Sequence, residues 1–187
     1  IAYKDDVISQ TPYEQERCKL DLTLPADAKG FPTYVWFYGG GLKNGGKDLN
    51  SEYCAEIRAS LARAGVAVVT PDYRLSPKVK YPAYVDDAAA AFAWTVKHIA
   101  AHGGDPRKVF IGGHSAGGYL ALMVGLSDDQ TGPGGDPQAK HSAKVSGVID
   151  FYGVVNFSKH GKGVVPGVSA AEQAAYLPEN QCDPQDP

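Results

Sequence analysis

The residues best suited to chemistry are Gly113-His114-Ser115-Ala116-Gly117-Gly118. A serine hydroxyl is a poor nucleophile at its own pKa. It becomes a good one only where a base takes its proton and a pocket stabilises the charge that develops on the attacked group. The spacing G-x-S-x-G suits that task, because it sets the serine on a sharp strand-to-helix turn. Flanking glycines tolerate strained backbone there and let neighbouring elements approach closely. The surroundings strengthen the signal: residues 108–112 read as a buried strand, and a helix pattern runs from about Ser115 to Leu126. Upstream, Tyr38-Gly39-Gly40-Gly41 follows another apolar run. Residues without side chains at such a place let backbone N–H groups point at a developing oxyanion. Ser115 is the expected nucleophile, and the amides of Gly40, Gly41 and Ala116 are the expected donors.

Positioning these groups takes strands and helices in alternation. Residues 18–24 alternate polar and apolar side chains, the pattern of an edge or half-buried strand. Residues 32–38 are continuously apolar and aromatic before the glycines, which suits a strand buried on both faces. Residues 51–64 have helical spacing, with Ser51 placed to cap and Gly65 to stop the helix. Residues 66–70 form the next buried strand, and residues 84–102 form a long alanine-rich helix ended by Gly103 and Gly104. Residues 128–144 are rich in Gly, Pro and Asp and read as a surface loop, followed by a strand at 145–152. Residues 153–187 are weakly periodic and read as an irregular cap or excursion over the sheet. The alternation predicts an α/β protein, a three-layer α/β/α sandwich around a mostly parallel sheet. A length of 187 residues suits a single domain, since domains run to roughly 100–200 residues.

Composition excludes several classes. Apolar residues make up 43% and charged residues 21%, with a net charge of −3, as in an ordinary protein with a real core. No basic excess points to nucleic acid. No apolar run approaches the ~20 residues that span a bilayer. The cluster of Arg74, Lys78 and Lys80 reads as a solvated loop. Cys18, Cys54 and Cys182 are too few and scattered for a disulfide framework or a zinc site, leaving one bridge with a leftover thiol open. No metal or organic cofactor is expected. Tyr34, Trp36, Tyr73 and Trp94 read as core. The start at Ile1, without Met or an apolar leader, suggests a trimmed N-terminus.

Residues 18 to about 158 resemble the esterase/lipase branch of the α/β-hydrolases that includes hormone-sensitive-lipase-like and related bacterial acyl esterases. Beyond the two glycine-rich motifs, three stretches carry the resemblance. They are Asp72-Tyr73-Arg74-Leu75-Ser76-Pro77 followed by Tyr81-Pro82-Ala83, the turn Gly103-Gly104-Asp105-Pro106, and Asp150-Phe151-Tyr152-Gly153. The family usually has histidine where Tyr38 stands. That histidine orders the loop in the resembling enzymes, a task a tyrosine hydroxyl can perform. The resemblance implies the α/β-hydrolase fold and hydrolysis of carboxylic esters through an acyl-enzyme. Its substrates would be short acyl or acetyl esters of small molecules or carbohydrates.

In that fold the triad runs Ser, then Asp or Glu, then His along the chain. The resembling enzymes place the acid and base after two further strands, whereas one clear strand follows Ser115 here. The sequence is therefore expected to end before the acid and base, and the sheet to lack its C-terminal strands. A sheet so shortened exposes an apolar edge that invites a second copy, a homo-oligomer. His98 and His102 read as surface residues of the long helix, and His114 as a packing residue. His141 and His160 read as loop residues within conceivable reach of the site. Asp150 reads as structural, Asp86 and Asp87 as carboxylates favouring a helix N-terminus, and Asp72 and Asp105 as turn formers. The missing base leaves two other readings open: a non-catalytic binding or scaffold protein of the same fold, and a serine amidase or peptidase. The missing start and the resemblance to secreted bacterial esterases favour an exported over a cytoplasmic location.

Overall fold

The computed structural model describes residues 1–4, 11–48, 52–127, 145–155 and 177–178. Among these residues five strands form one sheet: β1 (Leu20–Thr23), β2 (Phe31–Phe37), β3 (Ala67–Pro71), β4 (Gly104–His114) and β5 (Val148–Phe151). Their spatial order is β1-β3-β2-β4-β5. β1 runs antiparallel to β3 at one edge, and every other pairing is parallel. Four α-helices accompany them among the described residues: α1 (Pro12–Arg17), α2 (Glu52–Arg63), α3 (Ala83–His98) and α4 (Ala116–Gly125).

The layering follows from the period-two alternation of strand side chains. On β2, Val35 and Phe37 enter a core shared with Ala88 and Phe92 of α3 and with Tyr119 and Leu120 of α4. Tyr34 and Trp36 point to the other face, against Ile57 and Leu61 of α2. Helices thus cover both faces, which is why β2 reads as an unbroken apolar run. The α/β/α sandwich around a mostly parallel sheet is as expected. The two faces are unequal, however. Beside α2 lies a groove of about 500 Å³ lined by residues that include Tyr34, Trp36, Leu61, Phe110 and Phe151. Among the described residues β5 forms the far edge, with Ile149 and Phe151 exposed.

Several local expectations need correction. α1 has no counterpart in the sequence reading, although Thr11-Pro12-Tyr13-Glu14 is a capping box with proline at the helix start. The Glu14 N–H donates to Thr11 Oγ1 at 3.3 Å, and the Thr11 N–H donates to Glu14 Oε2 at 3.0 Å. α3 ends at His98 rather than 102 and continues as a 3₁₀ turn, Ile99–His102, closed by Gly103 at φ 94°. Arg74 is no solvated loop residue. Its guanidinium donates to both carboxylate oxygens of Asp87 at 2.8 Å, and Lys4 Nζ reaches the same carboxylate at 2.5 Å. Asp87 is fully buried, so it serves this ion cluster rather than a solvated helix end. A buried carboxylate persists only when paired in this way. Cys18 is a free, buried thiol, which burial pushes up to about 12.

The Ser51 cap, the 128–144 loop, most of the 153–187 excursion, His141, His160 and Cys182 lie outside the described residues. No helix among the described residues is long and apolar enough to cross a membrane.

Candidate active site

Ser115 sits between the last residue of β4 and the first residue of α4, half-buried, with φ 55° and ψ −117°. A side chain at positive φ costs about 1–3 kcal/mol and persists only where the surroundings over-determine it. Two hydrogen bonds do so. The Ser115 N–H donates to the Phe151 carbonyl on β5 at 2.8 Å, and the Ser115 carbonyl accepts from Tyr119 N–H of α4 at 3.1 Å.

Close backbone packing does the rest. A Cβ on Gly113 would lie 2.5 Å from the Gly117 carbonyl and from the Phe37 oxygen. One on Gly117 would lie 2.1 Å from the Phe37 oxygen and 2.7 Å from that of Tyr38. The glycines of G-x-S-x-G are therefore required because α4 starts in contact with the end of β2. Asp150, exposed at the end of β5, accepts the Gly153 N–H at 2.7 Å and lies against Gly118, the structural role expected of it.

β2 and β4 are parallel neighbours, so the loop leaving β2 emerges beside Ser115. A Cβ on Gly39 would stand 3.3 Å from the Ser115 Cβ and 2.9 Å from the His114 carbonyl. Gly40 and Gly41 follow at φ 121° and 63°, both exposed. Among the described residues their amides donate to no backbone carbonyl, while the Gly40 carbonyl accepts from Lys43 and Asn44, each at 3.1 Å. Ala116 opens α4, where helix geometry leaves the first amides without an intrahelical partner.

Tyr38 is tied down at both ends. Its ring stacks on Tyr73 at 4.5 Å and 14°, and its carbonyl accepts the Tyr73 hydroxyl at 2.8 Å. Arg17 Nη2 donates to the Tyr38 hydroxyl at 2.5 Å and to the Gly45 carbonyl at 3.2 Å. Arg17 also pairs with Asp72 at 3.4 Å. Asp72 in turn accepts the Lys47 N–H at 2.6 Å. The expectation of Asp72 as a simple turn former is thus too weak; its carboxylate closes a polar cluster beneath the loop. Burial raises the Tyr38 phenol well above its ordinary value, with Asp72 adding to the rise and Arg17 opposing it. Burial likewise raises Asp72, offset only in part by Lys47 and Arg17. On Arg17 burial acts downward, but Tyr38 and Asp72 outweigh it and raise the guanidinium. The partners differ because burial prevails at the carboxylate and charge pairing prevails at the guanidinium.

The remaining candidates fall elsewhere. His98 stacks on Trp94 at 4.8 Å, and His102 lies beyond it at 6.4 Å. Both lie close to the start of β4, which from Gly104 to Gly113 runs alongside Phe31 to Phe37 of β2, roughly 20 Å at about 3.3 Å per residue. His114 is exposed rather than packed into the core, its ring edge-on to Tyr152 at 6.3 Å. Asp105 accepts the Arg107 N–H at 3.0 Å, as a turn former should. No group of three His, Cys, Asp or Glu among the described residues is placed to hold a metal ion. Arg17 went unremarked in the sequence, where no local pattern marks it.

Comparison with known proteins gives the family and the fold. The BD-FAE family model matches residues 20–183. Carboxylesterase NlhH of Mycobacterium tuberculosis is 39% identical over 110 residues, covering 58% of this chain and 34% of its own length. Carboxylic ester hydrolase LipN of the same organism is 36% identical over 149 residues, covering 66% and 39%. The chain thus spans little more than a third of the length of these relatives. Among solved structures, a truncated form of a carbohydrate esterase from gut microbiota superposes with a TM-score of 0.81. It is 21% identical, with 100% of this chain and 72% of that one covered, a likeness of fold alone. Esterase 2 of Thermogutta terrifontis superposes at 0.67 with 28% identity, covering 86% of this chain and 60% of that one. Sequence motifs, sheet order and family match agree: the chain belongs to the BD-FAE family, within the esterase and lipase branch of the α/β-hydrolases.

Proposed function

We propose that this chain carries the nucleophile and the oxyanion-binding loop of a serine carboxylic ester hydrolase. The observation that supports it most is Ser115 itself: a non-glycine residue held at φ 55° between β4 and α4, with the Gly39 backbone against its Cβ. In the proposed reaction Ser115 Oγ bonds to the acyl carbon while its proton passes to a base. The amides of Gly40, Gly41 and Ala116 take the negative charge of the tetrahedral oxyanion. The carbonyl re-forms, the ester C–O bond breaks, and the alcohol leaves with the proton. Water then attacks the acyl-enzyme by the same route and frees the acid. The base and its acidic partner follow Ser115 in chain order in this fold. His98 and His102 are too distant to serve, at the far end of β4.

Short acyl chains are the proposed substrates. The Thermogutta esterase, similar at 28% identity, is recorded with butyrate bound and, separately, phosphonylated by cyclosarin. The same phosphonylation chemistry offers the test. A fluorophosphonate should add one equivalent to the full-length protein by intact mass and none to Ser115→Ala. Hydrolysis of p-nitrophenyl acetate should fall by about a millionfold in that variant, the scale seen when a serine nucleophile is removed. Labelling or turnover that survives Ser115→Ala would refute the proposal.

A further inference from the structure

The loop from Tyr38 to Lys47 has little reason to hold one shape on its own. It contains Gly39, Gly40, Gly41, Gly45 and Gly46, and Leu42 sits at φ 61°. Ordering glycine-rich backbone is entropically expensive, and donors for a developing charge must be fixed to within a fraction of an ångström. Leu42 supplies one anchor near the middle: it is fully buried, and its carbonyl accepts the Ser76 N–H at 2.8 Å. The two ends need others.

We propose that Arg17 is a positioning residue for the oxyanion loop, binding both ends of it from outside the loop through the Tyr38 hydroxyl and the Gly45 carbonyl. The inference rests on the reading of Gly40 and Gly41 as oxyanion donors. Arg17 is the last residue of α1, and one guanidinium nitrogen reaches across the loop to both sites, at 2.5 Å and 3.2 Å. Its Nε donates to the Tyr73 carbonyl at 3.2 Å, on the strand-end segment beneath the loop. Asp72 completes the clasp, its Oδ1 taking both Arg17 and the Lys47 N–H. The planar fork of arginine makes these contacts with one rigid group, which an ammonium cannot reproduce. Gly45 fits the same device: a Cβ there would lie 2.7 Å from the Tyr38 ring, so the ring lies directly against the returning strand of the loop. Burial keeps the Tyr38 phenol protonated, and its oxygen accepts from Arg17 as a neutral hydroxyl.

The test uses the full-length protein and p-nitrophenyl acetate, with melting temperature followed in parallel. Arg17→Met should lower kcat about 10- to 100-fold, with KM within twofold, because the loop amides act on the transition state rather than on the bound ester. Arg17→Lys should recover only part of the loss. Tyr38→Phe removes one oxygen, keeps the stacked ring, and should lower kcat several-fold. The double variant should be no slower than Arg17→Met, since both changes cut the same link. Should Arg17→Met fail to fold, Tyr38→Phe decides: kcat within twofold of the parent overturns the proposal. An unchanged kcat in Arg17→Met, or an equal loss in KM and kcat, overturns it as well. Ser115→Ala separates this result from the site reading. Turnover surviving in Ser115→Ala overturns both, whereas turnover lost there but kept in Arg17→Met overturns the role of Arg17 alone.

Discussion

The Ser115 turn and the 38–47 loop leave the same ends of two neighbouring parallel strands, yet different physics holds each in place. The turn is set by backbone against backbone: Gly113 and Gly117 leave no room for a methyl group beside Phe37 and Tyr38, and two main-chain hydrogen bonds clamp Ser115. The loop has main-chain bonds of its own at Gly40 and Leu42, but its two ends are held by side chains, with Arg17, Tyr38, Asp72 and Tyr73 forming a cluster there. A backbone fit tolerates almost no substitution. A polar cluster tolerates more, because one group can be lost while ring stacking and burial continue to hold the rest. Such a cluster is also a poor source of stability, since desolvating its charges offsets much of the attraction between them. Its contribution is geometry.

The largest effect that probes this contrast belongs to the turn. Gly117→Ala places a methyl 2.1 Å from the Phe37 oxygen, and neither α4 nor β2 can retreat without breaking the core. It should destabilise the protein by about 3 kcal/mol, the upper part of the usual overpacking range, measured by urea denaturation. Gly41→Ala is the matched change in the loop. A Cβ there meets nothing within 4 Å, so only the left-handed φ of 63° opposes it. The expected loss is about 1–2 kcal/mol. Equal losses at the two sites would remove the distinction between backbone fit and side-chain clasp.

The smallest effect sharpens the account of the cluster. Burial raises the Asp72 carboxyl in the folded protein above its ordinary value of 3.8. A raised carboxyl binds its proton more tightly when folded, so its contribution to stability is complete below the unfolded pKa. That contribution is lost as pH rises through the folded value. The stability of the parent relative to Asp72→Asn should therefore decline as pH rises out of the acidic range towards neutrality. Denaturation midpoints of both proteins across that range would check the sign. A relative stability that rises with pH would mean that Arg17 and the Lys47 amide outweigh burial.

The expectations that succeeded and those that failed divide by distance along the chain. The run before Tyr38 marked β2 because both of its faces are covered, and Gly-x-Ser-x-Gly marked the turn because close approach there demands glycine. α1 was also legible, in Thr11-Pro12-Tyr13-Glu14, but went unread because the segment is short and lacks an apolar stripe. Arg74 looked like part of a basic surface cluster, since its neighbours Lys78 and Lys80 are exposed. Its partner Asp87 lies thirteen residues on, and only the docking of α3 buries that carboxylate beside it.

The sequence by itself therefore determined the strands, the helices, the turn that bears Ser115 and the glycines beside it. Each is encoded within a few residues, as a period of side chains or a local demand on φ. The tertiary structure decided the rest. It put β2 beside β4, so that Gly39 meets Ser115 across 76 residues of chain. It brought Arg17 to Tyr38 across 21 residues and gave Asp72 work beyond its turn. Such pairings leave no periodic trace, because a hydrogen bond between distant residues depends on where the sheet places them and not on what surrounds each one in sequence.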